Sequence, residues 1–204
     1  MTGYLREPAA IYARSFEIIR QETDFTGVPA DCIDVATRIV HACGMTDIVR
    51  DLRFSAGFAA AARVALAAGK PVITDAEMVR QGIIKRRDAI ICTLNDPRAR
   101  DSGRAHGITR SAAAVELWRD QLGGSLVVIG NAPTALVALL ALIDAGGPKP
   151  AAIIAFPVGF VGAAESKDEL HRNSRGVDYA TVLGRRGGSA MAAAAVNALA
   201  EAAA

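Results

Sequence analysis

The sequence predicts an α/β protein built on a mainly parallel sheet of five strands, with helices at its N-terminus. Five short runs rich in β-branched residues are each closed by Gly, Asn, Asp or Pro and followed by an Ala- and Leu-rich stretch, as in a sheet with crossover helices. Most of these runs are apolar throughout, which indicates that both of their faces are buried. The predicted strands are Pro71–Thr74, Ala89–Leu94, Ser125–Ile129, Ala151–Phe156 and Tyr179–Leu183.

Seven helices are predicted from stretches that contain many residues of high helix propensity. They are Ala9–Thr23, Ala30–Ala42, Ala56–Ala68, Ser111–Leu122, Thr134–Ala145, Ala163–Arg172 and Ser189–Ala203. Gly44, Gly69 and Gly146 each follow one of these helices, where the chain commonly needs a positive φ. No Pro- or Ser-rich linker interrupts the chain, so residues 1–204 are predicted to form a single domain.

Composition limits the classes of function. The 23 basic and 21 acidic side chains leave a net charge of +2, and only 5% of residues are aromatic, which gives little support for nucleic-acid binding. The longest apolar run, Ala135–Ile143, is too short to cross a bilayer, and the charged N-terminal segment does not resemble a signal peptide. Cys32, Cys43 and Cys92 form no CxxC pair, so no disulfide framework is predicted. We therefore expect a cytoplasmic protein with no membrane partner.

The loops that follow the predicted strands form the candidate ligand site, because an open parallel sheet binds ligands outside the carboxyl ends of its strands. Three of these loops, residues 130–134, 157–163 and 184–189, place small residues directly before a helix. Free N–H groups and the helix dipole favour a carboxylate or phosphate there. Neither GxxxxGK[ST] nor GxGxxG occurs, so no nucleotide is specified. The alternative, that these Gly and Pro residues only make tight turns, stays open.

Basic residues near these loops are candidate partners of an anion. Arg110 directly precedes a predicted helix, and its guanidinium could bind a carboxylate through two hydrogen bonds. Its neighbours Thr109 and Ser111 also suit a helix N-cap. Arg185 and Arg186 are more typical of solvated surface charge.

His41 is the main candidate for acid–base chemistry near neutral pH among three histidines. It lies near the end of a predicted helix, where the dipole favours an imidazolium, while Arg38 one turn earlier opposes that charge. The alternative is a structural histidine that caps the last carbonyls of the helix. His106 is predicted in a polar loop and His171 in a charged stretch, and both are expected to face solvent.

Other chemistry finds less support in the sequence. No HxxxH or HExxH pattern or carboxylate cluster has the spacing of metal ligands, so no protein-held metal is predicted. A nucleophilic Cys92 would lie inside a buried strand, where the pKa of a thiol rises and its reactivity falls. Ser166 and Ser189 lack the GxSxG motif of hydrolases.

Seven motifs are spread along nearly the whole chain. The two most specific are Gly130–Leu136 (GNAPTAL) and Pro157–Lys167 (PVGFVGAAESK). The others are Arg14–Phe16, Val40–Gly44, Asp75–Val79, Thr109–Ala114 and Gly187–Ala190. Together they resemble the precorrin-8X methylmutase family. The resemblance implies a three-layer α/β/α sandwich and an isomerase of cobalamin biosynthesis that moves a methyl group from carbon 11 to carbon 12 of precorrin-8X, giving hydrogenobyrinate.

The same resemblance implies roles for particular residues. His41 matches the catalytic histidine, which donates or accepts a proton on the macrocycle so that a 1,5-sigmatropic methyl shift can occur. The implied substrate-binding residues are Arg14, Ser15, Arg38, Thr93, Arg110, Ser111, Asn131, Thr134, Gly162, Ala163 and Ser189. No cofactor is expected, because the methyl group moves within one molecule. The implied partners are the tetrapyrrole polycarboxylates precorrin-8X and hydrogenobyrinate, and a second copy of the chain in a homodimer with the site near the subunit interface.

Two other functions stay open at this point. A non-catalytic tetrapyrrole carrier, which would hold hydrogenobyrinate without chemistry, would use the same loops. A nucleotide-dependent oxidoreductase is suggested only by the sheet pattern and the Gly187-Gly188 turn.

The stretch Arg80–Asp88 is shorter and more basic than expected of the family, which leaves its substrate contacts open. A metal-free substrate is favoured over a cobalt-containing one.

Overall fold

One six-stranded sheet organises the chain in the computed structural model, which describes residues 5–85 and 90–201. The strands lie in the order β1-β6-β5-β4-β2-β3. They are β1 Leu52–Phe54, β2 Val72–Thr74, β3 Ile90–Cys92, β4 Leu126–Ile129, β5 Ala152–Ala155 and β6 Asp178–Val182. Every pair from β6 across to β3 is parallel, and β4 and β5 are buried along their whole length. This confirms the predicted mainly parallel sheet.

The prediction of five strands was wrong by one. The additional strand, β1, pairs antiparallel with β6 at the edge of the sheet, in register from Leu52 with Val182 to Phe54 with Ala180. It has three residues, Leu-Arg-Phe, and only its leucine is buried. An edge strand this short has neither the continuous apolar run nor the β-branched residues that identified the other five.

Helices cover both faces of the sheet, as the predicted three-layer sandwich requires. They are α1 Pro8–Glu22, α2 Ile33–Cys43, α3 Phe58–Ala67, α4 Glu77–Gly82, α5 Pro97–His106, α6 Arg110–Glu116, α7 Arg119–Leu122, α8 Pro133–Asp144, α9 Ala163–Arg172 and α10 Ser189–Glu201. Helices α2, α3, α4 and α10 contribute to the core on one face, and α6, α7, α8 and α9 to the core on the other. Helix α1 packs on α2, and α5 packs on α6.

Two helices were not predicted. Helix α5 was assigned to a polar loop, so His106 lies at the end of a helix and not in a loop as predicted. Only Ala99 and Gly103 of α5 are buried, so the helix shows little apolar pattern, and its ends are set by the Asp96 side chain at the N-cap and by Gly107 with φ 64°. Helix α4 has only six residues, too few for a clear period.

The predicted helix ends and boundaries largely hold. Gly44, Gly69 and Gly146 have φ values of 69°, 71° and 81°, as predicted. The predicted helix Ser111–Leu122 is divided into α6 and α7. Ala89 of the second predicted strand, residues 86–88 of the basic stretch and residues 202–203 of the last helix lie outside the described residues. Among the residues described, we find no helix long and apolar enough to span a membrane.

Candidate active site

The carboxyl ends of β2 and β4 form a crevice in the sheet. These strands are neighbours, yet the helix after β2 packs on one face and the helix after β4 on the other. In doubly wound sheets, the point where successive connections diverge in this way is where a ligand binds. The loops that the sequence analysis named as a candidate ligand site lie at this edge.

Asp75 fills this crevice. It directly follows β2, is 2% exposed, and accepts hydrogen bonds from the backbone N–H groups of Gly130, Asn131 and Ala132 at 2.9, 3.0 and 2.7 Å. Burial raises the pKa of the Asp75 carboxyl, whereas the three N–H donors act to lower it. Sequence reasoning assigned no role to Asp75, although its place directly after an apolar strand was a usable signal.

The three predicted small-residue loops meet at this edge. The Val158 N–H donates to the Asn131 carbonyl at 3.4 Å, the Gly159 N–H to the Arg185 carbonyl at 3.2 Å, and the Gly188 N–H to the Phe156 carbonyl at 2.8 Å. Residues 130–134, 157–163 and 184–189 thus form one surface. A side chain at position 187 would collide with the backbone carbonyl groups of Phe156 and Pro157, so that turn requires glycine.

The start of α6 contributes Arg110 and a pair of threonines. Thr109 caps α6 through a hydrogen bond from the Ala112 N–H at 3.2 Å, and its hydroxyl donates to the Thr134 hydroxyl at 2.7 Å. Arg110 and Ser111 therefore lie beside Thr134 at the start of α8. Arg110 is exposed and has no carboxylate partner among residues 5–85 and 90–201, so its guanidinium is free for an acidic ligand.

His41 and Ser15 meet on the outer surface of the helical layer. The His41 Nδ1 atom lies 3.0 Å from the Ser15 hydroxyl oxygen, which joins the end of α2 to α1. The imidazole stacks on Phe16 at 5.2 Å between ring centroids and contacts Tyr12 at 5.6 Å. The two residues line a cleft of about 210 Å³. The hydrogen bond of the imidazole goes to Ser15, whereas the capping alternative required a carbonyl of its own helix.

Arg38 does not face His41 as an unpaired charge. Its guanidinium lies 5.0 Å from the ring centroid of Tyr12 and 5.2 Å from that of Phe16, and it pairs with the carboxylate of Glu201. Glu201 offsets the positive charge that the sequence suggested would oppose an imidazolium. Arg14 pairs with Glu17 at 2.7 Å on the exposed side of α1.

Arg186 ties the end of α2 to the edge loops. It forms ion pairs with Asp47 at 2.7 Å and Asp51 at 2.5 Å, both in the 3₁₀ helix Thr46–Asp51 that follows α2. Arg186 is partly exposed, as expected of a surface charge, but both of these carboxylates pair with it. Arg185 instead lies 5.4 Å over the ring of Phe160.

Lys167 is a buried cation that the sequence analysis did not identify. Its side chain is fully buried, and its Nζ donates to the Arg186 carbonyl at 2.5 Å. Burial lowers the pKa of the Lys167 ammonium to about 8. The spacing of Ala163, Ser166, Lys167 and Leu170 on one buried helix face was the available signal. Lys167 therefore holds the backbone of the 184–189 segment through its hydrogen bond to the Arg186 carbonyl, from the buried side of that segment.

The remaining predicted site residues differ in what they present. The Thr93 hydroxyl donates to the Ala114 carbonyl at 3.0 Å and accepts from the Trp118 indole N–H at 2.9 Å, so it already holds α6 to the end of β3. Ala163 is fully buried, which leaves only its backbone for a ligand. Gly162, with φ 79°, begins α9, and Ser189 begins α10.

Other candidate cysteine and histidine side chains lie outside this site. Burial raises the pKa of the Cys92 thiol, in the predicted direction. The prediction that Cys92 lies in a buried strand was wrong, because β3 is at the edge of the sheet and Cys92 is only half-buried. His106 and His171 are exposed, and the Nδ1 atom of His171 lies 2.6 Å from the Tyr179 hydroxyl oxygen. Across the described ranges, no group of three or more His, Cys, Asp or Glu residues could hold a metal ion.

Comparison with known proteins gives consistent results. A sequence model of the precorrin-8X methylmutase family matches residues 10–202. A precorrin-8X methylmutase from Pseudomonas aeruginosa is 57% identical over 204 residues and 98% of each chain, and one from Sinorhizobium is 54% identical, covering 97% of this chain and 96% of its own. A cobalt-precorrin-8 methylmutase from Salmonella typhimurium is 38% identical over 96% of each chain. A crystal structure of a precorrin-8X methylmutase from Thermus thermophilus superposes with a TM-score of 0.86 at 33% identity over 96% of each chain.

Proposed function

Because the chain belongs to the precorrin-8X methylmutase family, we propose that His41 exchanges a proton with the macrocycle while a methyl group moves from carbon 11 to carbon 12. The resemblance drawn from the motifs is confirmed, and the chain is an isomerase of cobalamin biosynthesis that acts on precorrin-8X. The proposed product is hydrogenobyrinate. The role of His41 is supported mainly by its hydrogen bond to Ser15 at the exposed end of α2.

The Ser15–His41 pair suits proton transfer. When the Ser15 hydroxyl donates to Nδ1, a neutral imidazole carries its proton on Nε2. Within the described ranges Nε2 has no hydrogen-bond partner, so it is available to the substrate. Stacking on Phe16 restricts the ring plane. A positioned imidazole can both donate and accept a proton, as a general acid–base group must. Protonation changes the conjugation of the macrocycle, and the methyl group then migrates within the same molecule.

The edge loops suit a macrocycle that carries several carboxylates. Arg110 supplies an unpaired guanidinium, and Thr134 and Ser111 supply hydroxyl groups beside it. Phe160 is 83% exposed next to Arg185, which gives an apolar surface with a positive charge above it. The proposed substrate-binding set comprises Arg14, Ser15, Arg38, Thr93, Arg110, Ser111, Asn131, Thr134, Gly162, Ala163 and Ser189. Of these, Arg110 has the clearest electrostatic support, whereas Arg14 and Arg38 already have carboxylate partners.

A metal-free substrate is supported by the pattern of identities. The relatives named precorrin-8X methylmutase from Pseudomonas aeruginosa and Sinorhizobium are 57% and 54% identical to this chain. The relatives named cobalt-precorrin-8 methylmutase are 31–38% identical. We therefore propose that the chain prefers precorrin-8X to its cobalt complex.

Turnover of purified substrate tests the reaction. Anaerobic incubation with precorrin-8X and no added cofactor should give a pigment with a changed absorption spectrum and an unchanged mass. A parallel incubation with cobalt-precorrin-8 should react more slowly. Precorrin-8X that is bound and released without change would contradict the isomerase and support the tetrapyrrole carrier instead.

A homodimer with the site near the subunit interface is also proposed. Ile11 and Tyr12 are about 40% exposed on α1 beside Ser15, and Phe160 and Val161 are 83% and 88% exposed at the sheet edge. Exposed apolar groups clustered beside a site are typical of a surface that another chain covers. Sedimentation equilibrium should give twice the 21.2 kDa of one chain. A monomer at the concentrations used in the activity assay would contradict this proposal.

A cytoplasmic location is proposed as well. Cys32, Cys43 and Cys92 are all free thiols, as expected in a reducing compartment. Cell fractionation should recover the chain with cytoplasmic markers, and recovery with secreted proteins would contradict the proposal.

A further inference from the structure

The crevice between β2 and β4 already contains an anion, the carboxylate of Asp75. Its two oxygens accept hydrogen bonds from three consecutive backbone N–H groups, those of Gly130, Asn131 and Ala132. Asp75 is only 2% exposed, so a substrate group could reach these N–H donors only by displacing the Asp75 side chain. Hydrogen bonds from three N–H donors to the two oxygens stabilise the ionised form of the carboxylate.

This location is one that other α/β proteins use for ligands. N–H groups directly before a helix, at the switch point of a parallel sheet, ordinarily bind a phosphate or carboxylate of the ligand. Here the N–H groups precede α8 and point to a side chain of the same protein. The substrate carboxylates are therefore excluded from this position and must bind farther out, toward Arg110 and the exposed 157–163 segment.

The loop that Asp75 holds is packed against the other two site loops. A Cβ atom at Gly130 would lie 2.7 Å from the Val79 side chain, 2.9 Å from that of Ala192 and 3.0 Å from the Ser189 Cα. The Asn131 carbonyl accepts from the Val158 N–H. Displacement of residues 130–132 would therefore also move the 157–163 segment and the start of α10.

We propose that Asp75 is a positioning residue that acts as an internal anion: it holds residues 130–132 so that Asn131 and Thr134 face the substrate, and it closes the β2–β4 crevice to substrate carboxylates. The inference rests on the proposed substrate-binding role of Asn131 and Thr134. The hydrogen bonds of the Asp75 carboxylate go to the backbone N–H groups of residues 130–132. Its loss should therefore act mainly on substrate binding and orientation.

Chemical rescue tests the proposal. Asp75→Ala removes the carboxylate and should lower kcat/KM for precorrin-8X roughly 10- to 100-fold, since hydrogen bonds to a charged group are lost, mainly through a higher KM. Sodium formate should restore kcat/KM with saturation and raise the Tm of this variant over the same concentration range. Sodium chloride at equal ionic strength should do neither, and formate should leave the wild-type chain unchanged. A folded Asp75→Ala chain with reduced activity that formate does not restore would overturn the internal-anion role.

Two further measurements keep the result interpretable. Asp75→Asn retains the shape of the side chain but directs an N–H group toward backbone N–H donors, so its KM should rise as well; wild-type kcat and KM in this variant would overturn the proposal. Asp144→Ala is the matched control, because it removes a half-exposed carboxylate that pairs with Arg175 at the end of α8, and its KM should not change. Formate-dependent protection of the amides at 130–132 from hydrogen exchange requires no substrate. It therefore tests the role of Asp75 even if wild-type turnover of precorrin-8X fails.

Discussion

Replacing His41 with Ala is expected to lower kcat for precorrin-8X by ~10²–10⁴, the usual contribution of a positioned general acid–base group. The KM should change much less, because the imidazole lies on α2 whereas the proposed carboxylate contacts lie on the sheet-edge loops. Steady-state kinetics with both parameters resolved would measure the effect. Tetrapyrrole binding by the variant, followed by absorption, should be retained.

Two variants act as references for His41. Ser15→Ala removes the hydrogen bond to Nδ1 but leaves the imidazole, so its kcat should fall less than that of His41→Ala. His106→Ala removes an exposed imidazole at the end of α5 and should leave kcat unchanged. A His41→Ala chain with wild-type kcat would remove His41 from the mechanism. An equal loss in His41→Ala and Ser15→Ala would instead show that orientation of the ring accounts for the whole effect.

The sequence predicted the five strands that carry apolar or β-branched runs and missed elements that depend on a pairing partner or on helix caps. The run at residues 125–129 contains only apolar residues after Ser125, and it forms the central strand β4. Edge strand β1 depends on its pairing with β6, which lies more than 100 residues later in the chain. Helix α5 depends on its caps, Asp96 and Gly107, because almost no apolar face stabilises it. Local pattern carries burial information but not pairing or capping partners.

The same difference explains the candidate site. His41 was identified by its residue type and its place at a helix end, and Ser15 only through the family resemblance, because nothing local predicts that α1 packs beside α2. Asp75 and Lys167 were missed because charged residues are rarely buried, and because the backbone groups that bind them cannot be identified from the sequence. Their burial depends on the assembly of the sheet. It also depends on hydrogen bonds with backbone groups at 130–132 and at 186, which are distant in sequence.

A second large effect is expected in the core between the sheet and helices α6 to α9. There, Trp118→Ala should lower the free energy of unfolding by about 3–5 kcal/mol. Trp118 is among the largest fully buried side chains, at 1% exposed, and it packs in the same core as Val115, Leu122 and Val127. Truncation leaves a cavity between α6, α7 and the sheet, and surrounding residues can only partly fill it. Urea unfolding monitored by circular dichroism would measure the loss. A change below about 1 kcal/mol would contradict this packing.

The hydrogen bond from the Trp118 indole N–H to the Thr93 hydroxyl allows a test of whether Thr93 has a structural role alone or also binds substrate. Trp118→Phe keeps most of the buried volume and removes the hydrogen bond to the Thr93 hydroxyl, so a smaller loss of about 1 kcal/mol is expected. Thr93→Val removes the same bond from the other side, together with the bond from the Thr93 hydroxyl to the Ala114 carbonyl. If Thr93 only joins α6 to β3, both variants should lower stability and leave KM for precorrin-8X unchanged. If Thr93 also contacts the substrate, it does so through the second acceptor lone pair of its hydroxyl oxygen. Thr93→Val removes that lone pair and should raise KM, whereas Trp118→Phe keeps it and should not.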